Sequence, residues 1–184
     1  KAVDEFLGLA YHNQMGLPVV IVRLFNTIGP RQSGQYGMVV PRFVQQALKG
    51  EPLTVFGNGQ QTRCFCDLED TIRAIIGLAE SPSAVGQVFN IGSASEVTIL
   101  NLARMVLEVV DASKAAKKSS KRKVPQYDDR IVFVPYDKAY GTGFEDMSRR
   151  VPDISKIKKA IDWDPTVSLE ESLRRIVSTH MRKH

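Results

Sequence analysis

The sequence predicts an α/β fold with short, parallel-type strands, and three observations carry that expectation. Residues 18–25 form an almost continuous apolar, β-branched run broken only by Arg23. Such a run reads as a strand buried on both faces of a parallel sheet. Residues 2–15 place Val3, Phe6, Leu7 and Ala10 at helical spacing and end at Gly16, so a helix leads straight into that strand. Short strand-like and helix-like segments then alternate to the end of the chain, without an internal repeat. A helix followed by a buried strand is half of a βαβ unit, so the sequence is expected to begin inside a motif.

The elements follow in order. A loop rich in Gly and polar residues covers 29–37, and a helix is expected over 40–49. Residues 53–56 alternate as a strand, closed by the turn signal Gly57-Asn58-Gly59. A second short strand is expected at 63–66, and Asp67 or Asp70 opens a helix running to about residue 80. Residues 87–91 read as a strand, and Thr98 can cap a helix over 99–110. Residues 112–124 are expected to form a basic, flexible loop, followed by a strand at 131–134. Asp153 or Ser155 starts a helix, and Ser168 with Glu171 three residues on forms a capping box for the last one. The pattern suits a small lobe on the edge of a larger sheet.

Composition narrows the class. The chain has 184 residues, 43% hydrophobic and 24% charged, ordinary values for a globular domain with a core. No apolar run approaches the roughly 20 residues needed to span a bilayer, and residues 1–5 lack the basic start and apolar stretch of a secretion signal. A cytoplasmic location and no membrane partner are the expectation. The net charge of +5 is local: Lys114, Lys117, Lys118, Lys121, Arg122 and Lys123 exceed the whole excess, and the remainder stands at −1. With serines and no aromatics among these charges, the segment reads as a solvated loop, not a nucleic-acid interface. Cys64 and Cys66 are the only cysteines. A bridge between residues i and i+2 of a strand is strained, and two thiols fall short of a structural zinc site, so both are expected to be reduced and no metal is expected.

Four segments, in order, resemble the extended short-chain dehydrogenase/reductase family of nucleotide-sugar epimerases, dehydratases and decarboxylases. They are Arg23-Leu24-Phe25-Asn26-Thr27-Ile28-Gly29-Pro30-Arg31; the stretch from Pro52 to Arg63; Phe89-Asn90-Ile91-Gly92; and Asp153-Ile154-Ser155-Lys156 with Trp163-Asp164-Pro165. Asp162 stands where the family usually has Gly. The resemblance spans nearly the whole chain. It implies the C-terminal part of a Rossmann-type doubly wound parallel sheet plus the small α/β substrate-binding lobe. Residues 1–30 are then a remnant of the NAD-binding domain, and 31–184 mainly the substrate lobe with some segments returning to the sheet.

The resemblance also implies roles. Lys1 looks like the lysine of the family's catalytic Tyr-x-x-x-Lys pair and a cofactor contact, its tyrosine lying before the sequence. Phe25 packs near the nicotinamide or fills the core; Asn26 bonds substrate near the phosphates or stabilises the turn after its strand. The Val39 and Val40 backbone meets the base, and Phe56 flanks it. Arg63 reaches the diphosphate, for which a guanidinium fork suits phosphate oxygens, and Arg150 beside Arg149 supplies a second phosphate contact. The sequence holds neither Tyr-x-x-x-Lys nor a Gly-x-x-Gly-x-x-Gly turn, so most of the NAD site is expected outside it and the isolated chain is expected to be inactive. The implied reaction passes through a transient 4-keto sugar. A UDP-sugar epimerase such as a UDP-glucose 4-epimerase is expected, with UDP-glucuronate decarboxylase or 4,6-dehydratase as alternatives. The UDP-sugar is the partner, with a homodimer expected for the parent enzyme and an association-prone fragment here. A non-catalytic nucleotide-sugar-binding or interaction module is the reading from another class.

Overall fold

The computed structural model describes residues 1–33, 38–118, 127–141 and 146–182. In chain order the elements are α1 (Ala2–Met15), β1 (Ile21–Leu24), β2 (Thr27–Ile28), α2 (Val39–Lys49), β3 (Leu53–Phe56), β4 (Thr62–Cys64), β5 (Cys66–Asp67), α3 (Leu68–Ala79), β6 (Val88–Ile91), β7 (Glu96–Thr98), α4 (Ile99–Lys118), β8 (Ile131–Val134), α5 (Tyr136–Tyr140), β9 (Arg149–Arg150), α6 (Ser155–Ile161) and α7 (Leu169–Met181). The chain divides into two compact units. The first holds residues 1–27, 64–95 and 151–167, and the second 28–63, 96–150 and 168–184.

In the first unit β1 and β6 pair in parallel, with Ile21 opposite Val88 and Leu24 opposite Ile91. The core beneath them gathers Phe89 and Ile91 from β6, Ala74 and Leu78 from α3, Ile157 from α6 and Trp163. Asp67 caps α3, its carboxylate accepting the Glu69 N–H at 2.8 Å. Gly16 adopts φ 69° and ends α1 in the left-handed conformation, which glycine enters without a Cβ penalty.

Residues 18–25 depart from expectation. The strand covers only Ile21–Leu24, and β6 is its single strand neighbour among the described residues. Arg23 forks onto Glu5 of α1 at 2.6 and 2.8 Å, and Leu24 is 49% exposed. A parallel strand is covered on both faces only when neighbours and helices flank it on both sides. The helix before it behaves likewise: Val3, Phe6, Leu7 and Tyr11 hold their spacing but are exposed, and no residue of α1 is buried.

In the second unit α2 and α4 pack on each other and on β3, and α7 packs on α4. Its core includes Phe43 and Val44 from α2, Leu53 and Val55 from β3, and Leu102 and Val106 from α4. β3 pairs in parallel with β8, and β4 lies between β7 and β9. The helix expected over 99–110 continues to Lys118, so residues 112–118 of the proposed basic loop are helical. Residues 119–124, its remainder, lie outside the described residues. Lys114 explains part of the extension: its Nζ donates to the carbonyls of Ala47 and Leu48 at 3.1 and 3.0 Å, neutralising the C-terminal end of α2. Thr98 Oγ1 accepts the Asn101 N–H and Ser168 Oγ the Glu171 N–H, the two caps expected for α4 and α7.

Candidate functional site

The residues implicated by sequence divide between the units. Lys1, Phe25 and Asn26 belong to the first; Val39, Val40, Phe56, Arg63 and Arg150 belong to the second.

In the first unit, Lys1 is fully exposed, its Nζ 3.6 Å from Asp4. Phe25 is half-buried and donates its backbone N–H to Ile91 O. A Cβ on Gly92 would stand 2.9 Å from the Phe25 Cβ, so Gly92 is what admits this side chain. Asn26 adopts φ 39°, donates Nδ2–H to Cys64 O at 2.8 Å, and accepts the Cys66 N–H on its own carbonyl. Its amide thus ties the chain just after β1 to the carbonyl of Cys64. Cys64 and Cys66 are both free and buried, and burial raises the Cys66 thiol above its ordinary pKa, aided by the nearby Asp70 and Asp67 carboxylates.

The second unit concentrates polar groups on β4 and β9. The parallel register sets Thr62 opposite Arg149 and Arg63 opposite Arg150. Thr62 Oγ1 and the Arg149 guanidinium both bind Glu96, at 2.9 Å and 2.6–3.1 Å, which fixes these two residues on one face of the sheet. The Arg149 fork first, then the Thr62 hydroxyl, hold the Glu96 carboxyl below its usual pKa. Because successive strand residues alternate faces, Arg63 and Arg150 share the opposite one. The register thus sets two arginines opposite one another on that face.

Arg63 is tightly held. Its Nη1 donates to the carbonyls of Thr62 and Met147 at 2.7 and 2.8 Å, and Nη2 to Asp146 Oδ1 at 2.5 Å. Asp146 Oδ2 accepts the Tyr136 hydroxyl at 3.0 Å, and Gln61 Nε2 bridges Tyr136 Oη at 2.8 Å and Phe56 O at 3.0 Å. The partner of Arg63 is therefore Asp146 rather than Asp67, the neighbour that sequence proximity suggests. Neither Asp146, Tyr136 nor Gln61 was legible as a site residue, because each reaches Arg63 through tertiary contacts up to 83 residues away in sequence.

Phe56 is half-buried, with the Arg42 guanidinium 4.3 Å from its ring centroid. A base stacked on Phe56 would use the other face. Val39 and Val40 form the first turn of α2, whose preceding residue Met38 provides no side-chain cap and whose first turn carries no acidic residue. First-turn N–H groups have no acceptor within the helix, Pro41 has no N–H, and the Arg42 N–H reaches Met38 O at 3.3 Å. The Val40 side chain is buried.

A dinucleotide cofactor needs a Gly-rich turn at an open helix N-terminus for its pyrophosphate. The described residues do not fit one: α3 starts on the Asp67 carboxylate with Glu69 and Asp70 in its first turn, and α1 has Asp4 and Glu5 in its own. Among the described residues no group of three or more His, Cys, Asp or Glu side chains could hold a metal ion, and no helix is long and apolar enough to cross a membrane.

Comparison with known proteins gives the chain its relatives. The family model described as GDP-mannose 4,6 dehydratase matches residues 1–176. A UDP-N-acetyl-alpha-D-glucosaminuronate decarboxylase of Bacillus cytotoxicus is 38% identical over 178 residues, covering 96% of this chain and 50% of its own length. UDP-glucuronic acid decarboxylase 1 of Arabidopsis thaliana is also 38% identical, over 97% of this chain and 36% of its own. Among solved structures, the UDP-glucuronic acid 4-epimerase of Bacillus cereus in complex with UDP-glucuronic acid and NAD superposes with a TM-score of 0.76 at 29% identity, covering 98% of this chain and 50% of the other. The chain thus spans half or less of the length of each.

Proposed function

The chain belongs to the GDP-mannose 4,6 dehydratase family, within the nucleotide-sugar branch of the extended short-chain dehydrogenases/reductases, and from that premise we propose that it forms the nucleotide-sugar-binding portion of an NAD-dependent enzyme acting on a UDP-linked uronic acid. The observation that carries the reading is the parallel register of Arg63 with Arg150. Two guanidinium groups on one face of a sheet suit the two phosphates of a nucleotide sugar, each offering planar, bidentate donors. The first-turn amides of Val39 and Val40, which need acceptors outside the helix, suit the carbonyl edge of a base, and Phe56 its flank. In this reading the diphosphate anchors the substrate while the base sets its register.

Decarboxylation of a UDP-uronate is the reaction favoured, because two relatives at 38% identity are named for it. The UDP-glucose 4-epimerase expected from the sequence gives way to that alternative. Epimerisation of a UDP-uronate is the second reading, supported by the solved 4-epimerase at 29% identity. NAD belongs to the proposal for the whole protein, since the described residues hold no Gly-rich turn at an open helix N-terminus. Lys1 as the catalytic lysine and a cytoplasmic location belong to the same proposal.

Thermal unfolding with ligands tests this. UDP and UDP-glucuronate at millimolar concentration are expected to raise the melting temperature of the chain while NAD leaves it unchanged, as ligand linkage requires for a site present only in the folded state. No shift with either uridine nucleotide would overturn the proposal.

A further inference from the structure

Arg63 is occupied by an anion that the protein itself supplies. The Asp146 carboxylate sits 2.5 Å from Arg63 Nη2, next to the position that the register gives Arg150. The Tyr136 hydroxyl holds its other oxygen, and Gln61 holds Tyr136 in turn. Arg63 and Asp146 are 14% and 28% exposed at their side chains, so the pair is sheltered but open enough to exchange. The Arg149 side of the sheet is already neutralised by Glu96.

We infer that Asp146 is an internal stand-in for phosphate: it occupies the Arg63 guanidinium while no nucleotide sugar is bound, and a diphosphate oxygen must displace it. The inference rests on the diphosphate reading of Arg63 and goes beyond it by assigning Asp146 a positioning role. The carboxylate keeps the arginine extended and oriented in the absence of substrate, and affinity is lowered by the strength of the bond that must be broken. Tyr136 and Gln61 give the displaced carboxylate a partner to retain. The arrangement also sets selectivity. A ligand with one weakly charged group does not outcompete a carboxylate already in place, whereas a diphosphate bridging Arg63 and Arg150 does.

Calorimetric titration of the chain with UDP and, separately, with uridine tests this. Asp146→Asn keeps the shape and can still accept from Tyr136, but removes the charge. It is expected to tighten UDP binding about tenfold, roughly 1.4 kcal/mol, and to leave uridine binding unchanged. Tyr136→Phe, which loosens the hold on Asp146, should tighten UDP binding to a smaller extent. A purely structural role for Asp146 would instead move both ligands together. If Arg63→Met weakens UDP binding while Asp146→Asn leaves it equal or weaker, the stand-in role is refuted and the diphosphate reading survives. If Arg63→Met leaves UDP binding unchanged, the diphosphate reading of Arg63 falls and takes the stand-in role with it.

Discussion

Asp70 is the buried charge on which the first unit most depends, and its removal has a predictable cost. The residue is 1% exposed. Its carboxylate accepts the backbone N–H groups of Thr166 and Val167 and the Thr166 hydroxyl, each at 2.9 Å, and Arg73 Nη2 at 2.5 Å. Its main-chain carbonyl accepts Trp163 Nε1–H at 3.1 Å. Burial alone would raise its pKa, but the donors from Val167, Arg73 and Thr166 outweigh it and hold the carboxyl below the ordinary value. Asp70→Ala leaves two backbone N–H groups and a hydroxyl without their acceptor, and an arginine without its ion-pair partner. The Arg73 side chain is 46% exposed and regains water. The cost therefore comes mainly from the donors stripped of their acceptor, about 1–3 kcal/mol for each buried one and about 3–5 kcal/mol together, a large share of the roughly 5–15 kcal/mol that stabilises a typical domain. At about 2–4 °C per kcal/mol for a chain of this size, the melting temperature should fall by about 10 °C.

The sign of the pH dependence follows from the lowered folded pKa. The stabilisation is fully present above the unfolded carboxyl value of about 3.9 and is lost as pH falls through the lower folded value. Thermal melts of the native chain and Asp70→Ala from pH 7 downward should therefore show a gap that is constant to about pH 4 and then narrows. A difference below about 1 kcal/mol at pH 7, or a gap that widens in acid, would refute the account.

Two further outcomes are expected. Cys64 and Cys66 are buried and the Cys66 thiol is pushed up by burial, so neither should react with a thiol-specific disulfide reagent at pH 7 until guanidinium unfolds the chain, when both should; prompt reaction in the folded state would count against the packing. Val3, Phe6 and Met15 of α1 are each more than 70% exposed and the second edge of β1 carries no strand among the described residues, so light scattering should report association at micromolar concentration that Phe6→Glu reduces; a monomeric native chain would refute this.

Much of the fold was legible because local signals and tertiary structure agree. The boundaries of α1, β3 and β8 follow from Gly16, from the Gly57-Asn58-Gly59 turn and from the apolar run at 131–134. The departures have physical causes. The pattern of residues 18–25 reads as buried because it demands cover, and α1 beside it is exposed for the same reason: a pattern states what a segment needs rather than what the chain supplies. The length of α4 was missed for the opposite reason: the polar, lysine-rich residues after 110 look unable to form a helix alone, but Lys114 finds the carbonyl end of α2. At the candidate site, the residue types were legible and their partners were not. Arg63 and Arg150 stand out in sequence, but their adjacency depends on the register of β4 with β9.

The motifs that carried the family resemblance turn out to do two different kinds of work. The Trp163-Asp164-Pro165 segment and the residues after it close on Asp70: Trp163 donates to its carbonyl, and Thr166 and Val167 donate to its carboxylate. Arg73 adds its bonds to Asp70 and to the Asp164 carbonyl. That segment is a clasp fastening a late stretch of chain to α3, and its chemistry is satisfied within the protein. Arg63 gives Nη1 to the Thr62 and Met147 carbonyls and Nη2 to Asp146, the carboxylate that we infer a diphosphate displaces. A saturated polar cluster has nothing left to offer a ligand, whereas one that closes on an exchangeable carboxylate has a donor set in reserve. By this criterion the sheet face shared by Arg63 and Arg150, rather than the Asp70 clasp, is where binding is to be sought.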